Sequence, residues 1–417
     1  MTNHNNSLRI GIVGGSISGC AAAIELSRAG HEVTIFERSL GELKGRGAGI
    51  GTPVSMVQAL IARDLLDADF PYFTSSEMPF LGRKSDDDHL GHTAWVMPIS
   101  LALLNWSDLY GNLRRRVPDT IYHAGCAVSS VKMVDGETAL LQLEDGRDFS
   151  FNLVIFADGY RSMGRQLICP QTALHYRGYV LWRGVLAERH LADSAPLANT
   201  VPRISYKGLA GHLVLYFVPE PKGSVVQGER LVNWAAYIPV PAEELPQFLM
   251  DRQGRQRFGS LPPGSMRLEE EDRLKRLMQA HLPVYYADII QASHDTFAQP
   301  IYAADLPTYH QDRFCLIGDA GSVCQPFTGS GVFKGINNAI DLTTALQSQT
   351  DIATALRAWN QTQTNTGHRV AVLGQQMEQA WIWTAADFSE MDAATTAAWW
   401  KAAVTFPEEF TYAAAEV

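Results

Sequence analysis

The chain has 417 residues, of which 46% are apolar and 19% charged, an ordinary globular composition that excludes a largely disordered protein. That length predicts about two to three domains. With 34 basic and 44 acidic side chains the net charge is −10, and an acidic surface repels phosphate, so nucleic-acid binding is not expected. The five cysteines are scattered without CxxC spacing, which predicts reduced thiols in a cytoplasmic protein and no metal site.

No membrane association is expected. The first seven residues are polar, which is not typical of a secretory signal. The longest apolar runs, such as residues 213–218, have the length of a strand, whereas a membrane-spanning helix needs about 18 apolar residues.

The first chemical signal is a βαβ pattern near the N-terminus. A β-branched run at 9–13 predicts a buried strand, residues 20–29 predict a helix ended by Gly30, and 32–37 predict a second strand. The turn between the first strand and the helix consists of Gly14, Gly15, Ser16, Ile17, Ser18 and Gly19. Such a turn lets the backbone approach a pyrophosphate at the N-terminus of the helix.

Glu37 closes the second strand, where a carboxylate can accept hydrogen bonds from ribose hydroxyls. This acid disfavours a 2′-phosphate, so the pattern indicates the adenosine of FAD or NAD rather than that of NADP. Ser16 replaces the middle glycine of the usual motif, and the alternative interpretation is a tight strand–helix turn followed by a coincidental glutamate.

Two later motifs place an aspartate at the end of a predicted buried strand. The strand at 151–156 leads into Asp158-Gly159, and the strand at 313–317 leads into Gly318-Asp319. Ligands bind at the carboxyl ends of strands in such sheets. A helix-like stretch from Gly331 to about residue 347 follows the second motif.

With these three motifs in order, the chain resembles the class A flavoprotein aromatic hydroxylases, the group of para-hydroxybenzoate and salicylate hydroxylase. The resemblance extends to about residue 375 and includes Ser162 and Arg165 at the spacing of the family's DG motif. Residues 13–19 and 178–186 look most like the 2,6-dihydroxypyridine 3-monooxygenase branch. Trp106 stands where many relatives carry an arginine, and Ala320-Gly321-Ser322 replaces a stretch that usually ends in histidine.

The resemblance implies roles for the residues of an FAD site. Glu37 would hold the adenosine ribose, Asp319 the ribityl chain, and Asp158 and Gly159 would lie beside the pyrophosphate and the approach of the nicotinamide. Arg38 and Arg46 would lie near the phosphates, although either could be a solvated surface cation. The other expected FAD-binding residues are Gly49, Val128, Gly318, Gly329, Gly331 and Val332.

A β-rich stretch between about 171 and 300, together with about 75–105, predicts an antiparallel sheet over the flavin. Candidate catalytic or substrate-contacting residues are Arg183, His212, Tyr216, Trp234 and Pro326. His212 is the candidate base, because the pKa of histidine lies near neutral pH. Pro326 would shape the turn where flavin meets substrate. For Arg183, His212, Tyr216 and Trp234 the alternative, which this pattern favours, is a core or sheet-surface residue.

The predicted fold is α/β: a Rossmann-like FAD domain with an inserted β-rich substrate domain and C-terminal helices. Expected boundaries are 1–75, 106–170 and 301–375 for the FAD domain, 76–105 and 171–300 for the substrate domain, and 376–417 for a helical segment. This last segment carries four of the nine tryptophans, which we expect to pack between helices.

The expected function is hydroxylation of an electron-rich ring, such as a hydroxypyridine or phenol, with FAD, transiently bound NADH or NADPH, and dioxygen, through a flavin C4a-hydroperoxide. The expected partners are therefore a small aromatic substrate and dioxygen; a homodimer is left open. Alternatives are an epoxidase or reductase on the same scaffold, a non-catalytic flavin-binding module, or an NAD-dependent dehydrogenase.

Overall fold

The structure is a computed structural model that describes residues 7–41, 43, 49–221, 223–349 and 351–406. The strands are β1 (Arg9–Val13), β2 (Glu32–Glu37), β3 (Gly49–Pro53), β4 (Phe73–Gly82), β5 (His92–Asn105), β6 (Tyr122–Ala124), β7 (Val128–Met133), β8 (Ala139–Leu143), β9 (Asp148–Phe151), β10 (Leu153–Phe156), β11 (His175–Ala187), β12 (Arg203–Ser205), β13 (His212–Val218), β14 (Leu231–Pro239), β15 (Phe297–Ala303), β16 (His310–Gln311) and β17 (Phe314–Leu316).

The α-helices are α1 (Ile17–Arg28), α2 (Val54–Ala62), α3 (Trp106–Arg115), α4 (Met163–Ile168), α5 (Leu245–Phe248), α6 (Leu268–His281), α7 (Val284–Ala292), α8 (Gly331–Ser348), α9 (Ile352–Glu378) and α10 (Ala393–Ala403).

A six-stranded sheet with the order β16-β17-β10-β1-β2-β6 forms the first layer. Strands β1, β2, β6, β10 and β17 run parallel, and only β16 is antiparallel. Val13 pairs with Phe156, which pairs with Leu316, so three strands end at the same level. The three loops predicted to bind the cofactor therefore leave the sheet side by side at its carboxyl edge.

Helices α1 and α8 pack closely behind this edge because small residues line their contact. A β-carbon on Gly335 would lie 2.0 Å from Ser18 Oγ, and one on Gly318 would lie 2.5 Å from the same atom. Glycine at both positions lets α8 begin directly beside the first turn of α1. The N-termini of both helices are thus brought to the same side of the sheet.

An eight-stranded sheet with the order β15-β11-β14-β13-β12-β4-β5-β3 forms the second layer, and β7, β8 and β9 form a small third sheet. The predicted strands at 178–185, 213–218 and 231–238 correspond to β11, β13 and β14. Strand β3 lies within the range predicted for the FAD domain, 1–75, but it pairs with β5 in the large sheet.

The C-terminal region packs against the large sheet. Helix α9 passes into a π-helical turn, Gln379–Trp383, and then into α10. Trp381 and the partly exposed Trp399 and Trp400 surround Phe80 of β4. The predicted fold class, a Rossmann-like domain joined to a curled β-sheet with helices at the end, is confirmed.

All five cysteines are free thiols. Among the residues listed above as described, no helix combines the length and apolarity needed to cross a bilayer, and no cluster of metal-ligating side chains occurs.

Candidate active site

The glycine-rich turn after β1 has the backbone conformation that only glycine adopts easily. Gly14 has a φ of +102°, and a β-carbon there would lie 2.4 Å from the carbonyl oxygen of Ala157. Ser16 is the N-cap residue of α1. The first amides of α1, which have no partner within the helix, therefore face the carboxyl edge of the sheet and can bind an anion.

Side chains hydrogen-bond to both the N–H and the carbonyl of Gly15. Its N–H donates to Glu37 Oε2 at 2.9 Å, and its carbonyl accepts from the Tyr122 hydroxyl at 3.0 Å and from Cys20 Sγ at 3.3 Å. Glu37 Oε1 accepts from the Ser39 amide at 2.8 Å. Glu37 is thus oriented before any ligand binds, and each carboxylate oxygen keeps acceptor capacity for a ribose hydroxyl.

A cleft of about 350 Å³ lies over this turn. The predicted FAD-binding residues that line it are Gly14, Ser16, Glu37, Arg38, Val128, Asp158 and Gly159. Gly15, Ile17, Ser18 and Gly19 form the turn and the start of α1 without lining the cleft. Trp106, noted for replacing an arginine, and Arg161 also line it. Arg46 lies outside the described residues.

Asp158 carries an unsatisfied oxygen at the border of the cleft. Its Oδ2 accepts from the Met163 amide at 2.7 Å, whereas Oδ1 is buried and has no hydrogen-bond partner among the described residues. Burial raises the pKa of Asp158. A buried acceptor without a partner is costly, so this atom fits a ligand that donates a hydrogen bond, as hydroxyl-bearing FAD can.

Asp319, in the second strand-end motif, is paired with a largely buried lysine, Lys334, that the sequence did not single out. Lys334 Nζ lies 3.0 Å from Asp319 Oδ1 and also donates to the Ser322 carbonyl. Its aliphatic stem lies in the first turn of α8, and nearby negative groups raise the pKa of Lys334 despite its desolvation. The ammonium group ties the loop after β17 to α8 and orients Asp319.

A second cavity, of about 160 Å³, lies between the large sheet and the N-terminus of α8. It brings together seven predicted residues: Gly49, Arg183, Tyr216, Pro326, Gly329, Gly331 and Val332. Arg203, Tyr237 and Phe327 also line this cavity, although no sequence motif pointed to them. Tyr237 follows Trp234 by three residues in β14, so strand alternation could have placed it on the opposite face.

Two of the candidate residues lie elsewhere. Trp234 is fully buried on the other face of the sheet, where its Nε1 donates to Ser293 Oγ at 2.8 Å. His212 is 1% exposed and is the cross-strand partner of Tyr237, with the two ring centroids stacked at 4.4 Å. Among the described residues, neither side chain lines the second cavity.

The environment of His212 favours its neutral form. Burial, and secondarily the charge of Arg203, lowers the pKa of His212 well below its usual value. Its Nε2 accepts a long hydrogen bond, 3.4 Å, from Arg203 Nη1. The structure therefore places His212 as a neighbour of Arg203 rather than in contact with the cavity.

A third cavity, of about 420 Å³, shares Arg161 with the first cleft. Its aromatic lining includes Tyr160, Tyr302 and the 74% exposed Phe258, and Arg257 adds a second cation. Arg161 Nη1 donates to the Phe258 carbonyl at 3.0 Å. This cavity therefore combines flat aromatic surfaces with two guanidinium groups beside the cofactor cleft.

Comparisons with known proteins agree with this geometry. Residues 176–303 match the family described as FAD binding domain-like, and residues 12–41 match an NAD(P)-binding Rossmann-like domain. The 2,6-dihydroxypyridine 3-monooxygenase of Paenarthrobacter nicotinovorans is 28% identical over 368 residues, covering 86% of this chain and 88% of that protein.

Two further comparisons extend the match. A salicylate hydroxylase of Pseudomonas putida is 29% identical over 365 residues, covering 81% of this chain and 77% of that enzyme. The structure of 2,6-dihydroxypyridine-3-hydroxylase from Arthrobacter nicotinovorans superposes with a TM-score of 0.82 at 25% identity, covering 91% of this chain and 94% of that one. The expected FAD cofactor is thereby confirmed. Over most of its length the chain is thus similar to FAD-dependent aromatic hydroxylases, and these monooxygenase relatives support an oxidoreductase.

Proposed function

We propose that this protein hydroxylates a small, electron-rich aromatic or N-heteroaromatic ring, bound as an anion, with NAD(P)H as reductant and dioxygen as oxidant. The observation that carries the proposal is the second cavity. At about 160 Å³ it is smaller than the 300–1,000 Å³ of pockets for drug-sized ligands, and it contains Arg183 and Arg203. No carboxylate lines it among the described residues.

The charges of the cavity favour an ionised ring hydroxyl. Arg203 is buried, so its guanidinium interacts more strongly with a nearby anion than it would in water. The N-terminus of α8 contributes Gly331 and Val332, and its amides also favour negative charge. Ionisation makes a phenol or hydroxypyridine ring more electron-rich, which is the property that an electrophilic oxygen donor requires.

The large sheet forms one wall of the cavity. Tyr216 and Tyr237 provide polar groups on the sheet side, and Phe327 and Pro326 close the opposite side. FAD, when bound, supplies electron transfer from the reductant to dioxygen. Glu37, Asp158, Asp319 and the N-terminal amides of α1 are the groups that would hold it. The protein then binds the ring, stabilises its anion and keeps the reaction dry.

The third cavity is the site we propose for the reductant. A nicotinamide dinucleotide carries flat rings and a pyrophosphate, and the cavity offers aromatic surfaces with Arg161 and Arg257. Its shared wall with the cofactor cleft would place the reductant beside the bound FAD. The sequence contains no second glycine-rich βαβ unit, so the reductant needs a site of this other kind.

The test is a panel of phenols and hydroxypyridines, each paired with its methyl ether, scored by NAD(P)H oxidation under labelled dioxygen. With the substrate, oxidation should rise at least about tenfold, which requires only about 1.4 kcal/mol off the barrier. One labelled oxygen atom should enter the ring. The methyl ether, which cannot ionise, should fail to stimulate.

Two outcomes would contradict the proposal. If no compound changes either the rate or the product mass, the hydroxylase function is wrong, and bound FAD without turnover would instead indicate a flavin-binding module. If an alkene gains the labelled atom while all rings fail, the protein is an epoxidase. A compound that accelerates oxidation but yields only hydrogen peroxide is an effector and not the substrate.

A further inference from the structure

The tryptophan-rich C-terminal segment is linked to the wall of the second cavity through one buried carboxylate. Glu378, the last residue of α9, has a side chain that is 3% exposed. A π-helical turn begins directly after it, and such turns frequently occur at functional sites. The sequence drew attention to this segment by its tryptophans, but the residues assigned above to cofactor and substrate binding all lie outside it.

Four side chains from three parts of the chain donate to this carboxylate. Arg177 of β11 donates through Nε at 3.0 Å and Nη2 at 2.6 Å, and the Tyr179 hydroxyl donates at 3.3 Å. Gln325 Nε2 donates at 2.9 Å and Trp383 Nε1 at 3.3 Å. Glu378 thus joins the large sheet, the π-helical turn and the loop that precedes α8.

Gln325 directly precedes Pro326, the first residue of the cavity wall on this side. Gln325 is fully buried, and its carbonyl accepts from the Thr328 amide at 3.2 Å and the Thr328 hydroxyl at 2.9 Å. These bonds close the short turn that presents Pro326, Phe327 and Gly329 to the cavity. Fixing Gln325 therefore fixes the wall opposite the sheet.

The sheet side of the wall depends on the same carboxylate. Tyr179 stacks on Phe327 with nearly parallel rings, 6.4 Å apart. Helix α9 lies close enough for this arrangement because Gly374 lacks a side chain, and a β-carbon there would lie 2.1 Å from Gln325 Oε1. Glu378 is the group that holds Gln325 and Tyr179 in register.

We propose that Glu378 is a positioning residue that sets the geometry of the substrate cavity, and that the C-terminal segment is retained for this purpose. The expected loss of ring product rests on the proposed function. The expected loosening of the cavity wall rests on the structure alone. A displaced wall leaves the ring misplaced relative to the oxidant, and small misplacements lower the rate of transfer strongly. Oxidant that fails to reach the ring is lost as hydrogen peroxide.

The experiment compares Glu378→Gln and Gln325→Met in the FAD-loaded full chain. Glu378→Gln turns one acceptor into a donor that faces other donors, and Gln325→Met removes the donor at similar volume. Amide hydrogen exchange at residues 327–329 should accelerate at least about tenfold in both variants, because the turn opens more often. Ring product per NAD(P)H should fall at least about threefold while FAD affinity stays within about twofold.

The matched control is Glu188→Gln. Glu188 is equally buried and is paired with Arg230 in the same bidentate manner, but it lines none of the three cavities. This control should lose stability without changing exchange at 327–329 or the product ratio. The double variant Glu378→Gln/Gln325→Met should be no worse than the more affected single variant, since the bond that Gln325→Met removes is already disrupted by Glu378→Gln.

Unchanged exchange at 327–329 in both variants would overturn the proposal whatever the enzyme's substrate proves to be. Additive effects in the double variant would also overturn it. If exchange accelerates but no compound of the panel is hydroxylated by the unaltered protein, the positioning role stands and the proposed function fails. If Glu378→Gln does not fold, Gln325→Met decides the outcome from the loop side.

Discussion

At the scale of single residues, preorganisation is the main property of the cofactor cleft. Glu37 accepts a hydrogen bond from the Gly15 N–H and Tyr122 donates one to the Gly15 carbonyl, so the turn is fixed before a ligand arrives. Gly15 and Glu37 were predicted from a motif of fixed spacing. Tyr122 was not, because it is 107 residues away and reaches the turn only through the pairing of β6 with β2.

The second cavity shows the same limit of sequence reasoning. Arg183 and Tyr216 were selected as polar residues in predicted strands, and both line the cavity. His212 was selected as the base because the pKa of histidine lies near neutral pH, and it does not line the cavity: it is the cross-strand partner of Tyr237, whose ring stacks on the imidazole. Which of several inward polar residues reaches a cavity depends on neighbouring strands, and one sequence does not give their register.

Replacing Asp319 by alanine should weaken FAD binding about tenfold or more. A carboxylate that bonds to hydroxyls contributes about 1.5–3 kcal/mol per charged bond, and about 1.4 kcal/mol corresponds to one decade of affinity. Quenching of flavin fluorescence on titration measures the change. Asp305→Ala, which breaks the surface pair of Asp305 with His368, is the control and should leave affinity unchanged. Equal affinities for the two variants would show that Asp319 only shapes its turn.

At the scale of elements, runs of apolar residues bounded by glycines predicted most of the strands that build the site. The βαβ unit, the two strand-end aspartates and β11, β13 and β14 all lie where expected. The place of β3 and the π-helical turn did not follow from the sequence. Both involve contacts between residues that are far apart in the sequence. Strand β3 pairs with β5, and Trp381 in the turn is buried.

The contact between α1 and α8 gives a prediction at this scale. Gly335→Ala should destabilise the protein by about 1–3 kcal/mol, because the new β-carbon overlaps Ser18 Oγ and lies 3.1 Å from the Gly318 Cα. Adding Ser18→Gly removes the overlapping hydroxyl and should recover most of the loss. Urea unfolding of the four proteins in the cycle measures the coupling.

Gly136→Ala is the matched control, since a β-carbon at Gly136 would meet nothing within 4 Å and its backbone is unstrained. It should unfold at the same urea concentration as the unaltered protein. A Gly335→Ala protein as stable as this control would show that the two helices separate at little cost.

At the scale of the whole molecule, buried histidine makes stability depend on pH. The pKa of His212 is lowered well below 6.5, and burial also lowers the pKa of His31 and His310. Below about pH 6.5 the unfolded chain binds protons that the folded chain rejects, so the free energy of unfolding falls as pH falls. This loss begins at the unfolded pKa and grows toward acid.

His212→Asn should therefore flatten the acid limb of the stability curve. Each fully buried neutral histidine contributes up to about 1.4 kcal/mol per pH unit in the window from about pH 6.5 to 5. Urea unfolding of the FAD-free protein at pH 7, 6 and 5 measures the slope. The exposed His190→Asn variant should retain the original slope. The same slope in both variants would show that His212 becomes protonated in the folded state.

The pairing order of the six-stranded sheet also constrains how the protein is made. The central strand β1 lies between β2 and β10, and β10 in turn pairs with β17, which begins at residue 314. Nucleation of this sheet thus closes loops of well over a hundred residues, a topology of high contact order and slow folding. On the ribosome, the cofactor-binding edge stays incomplete until three quarters of the chain has emerged. We therefore expect FAD to be captured after synthesis is nearly finished, and chains truncated before residue 314 to aggregate rather than bind it.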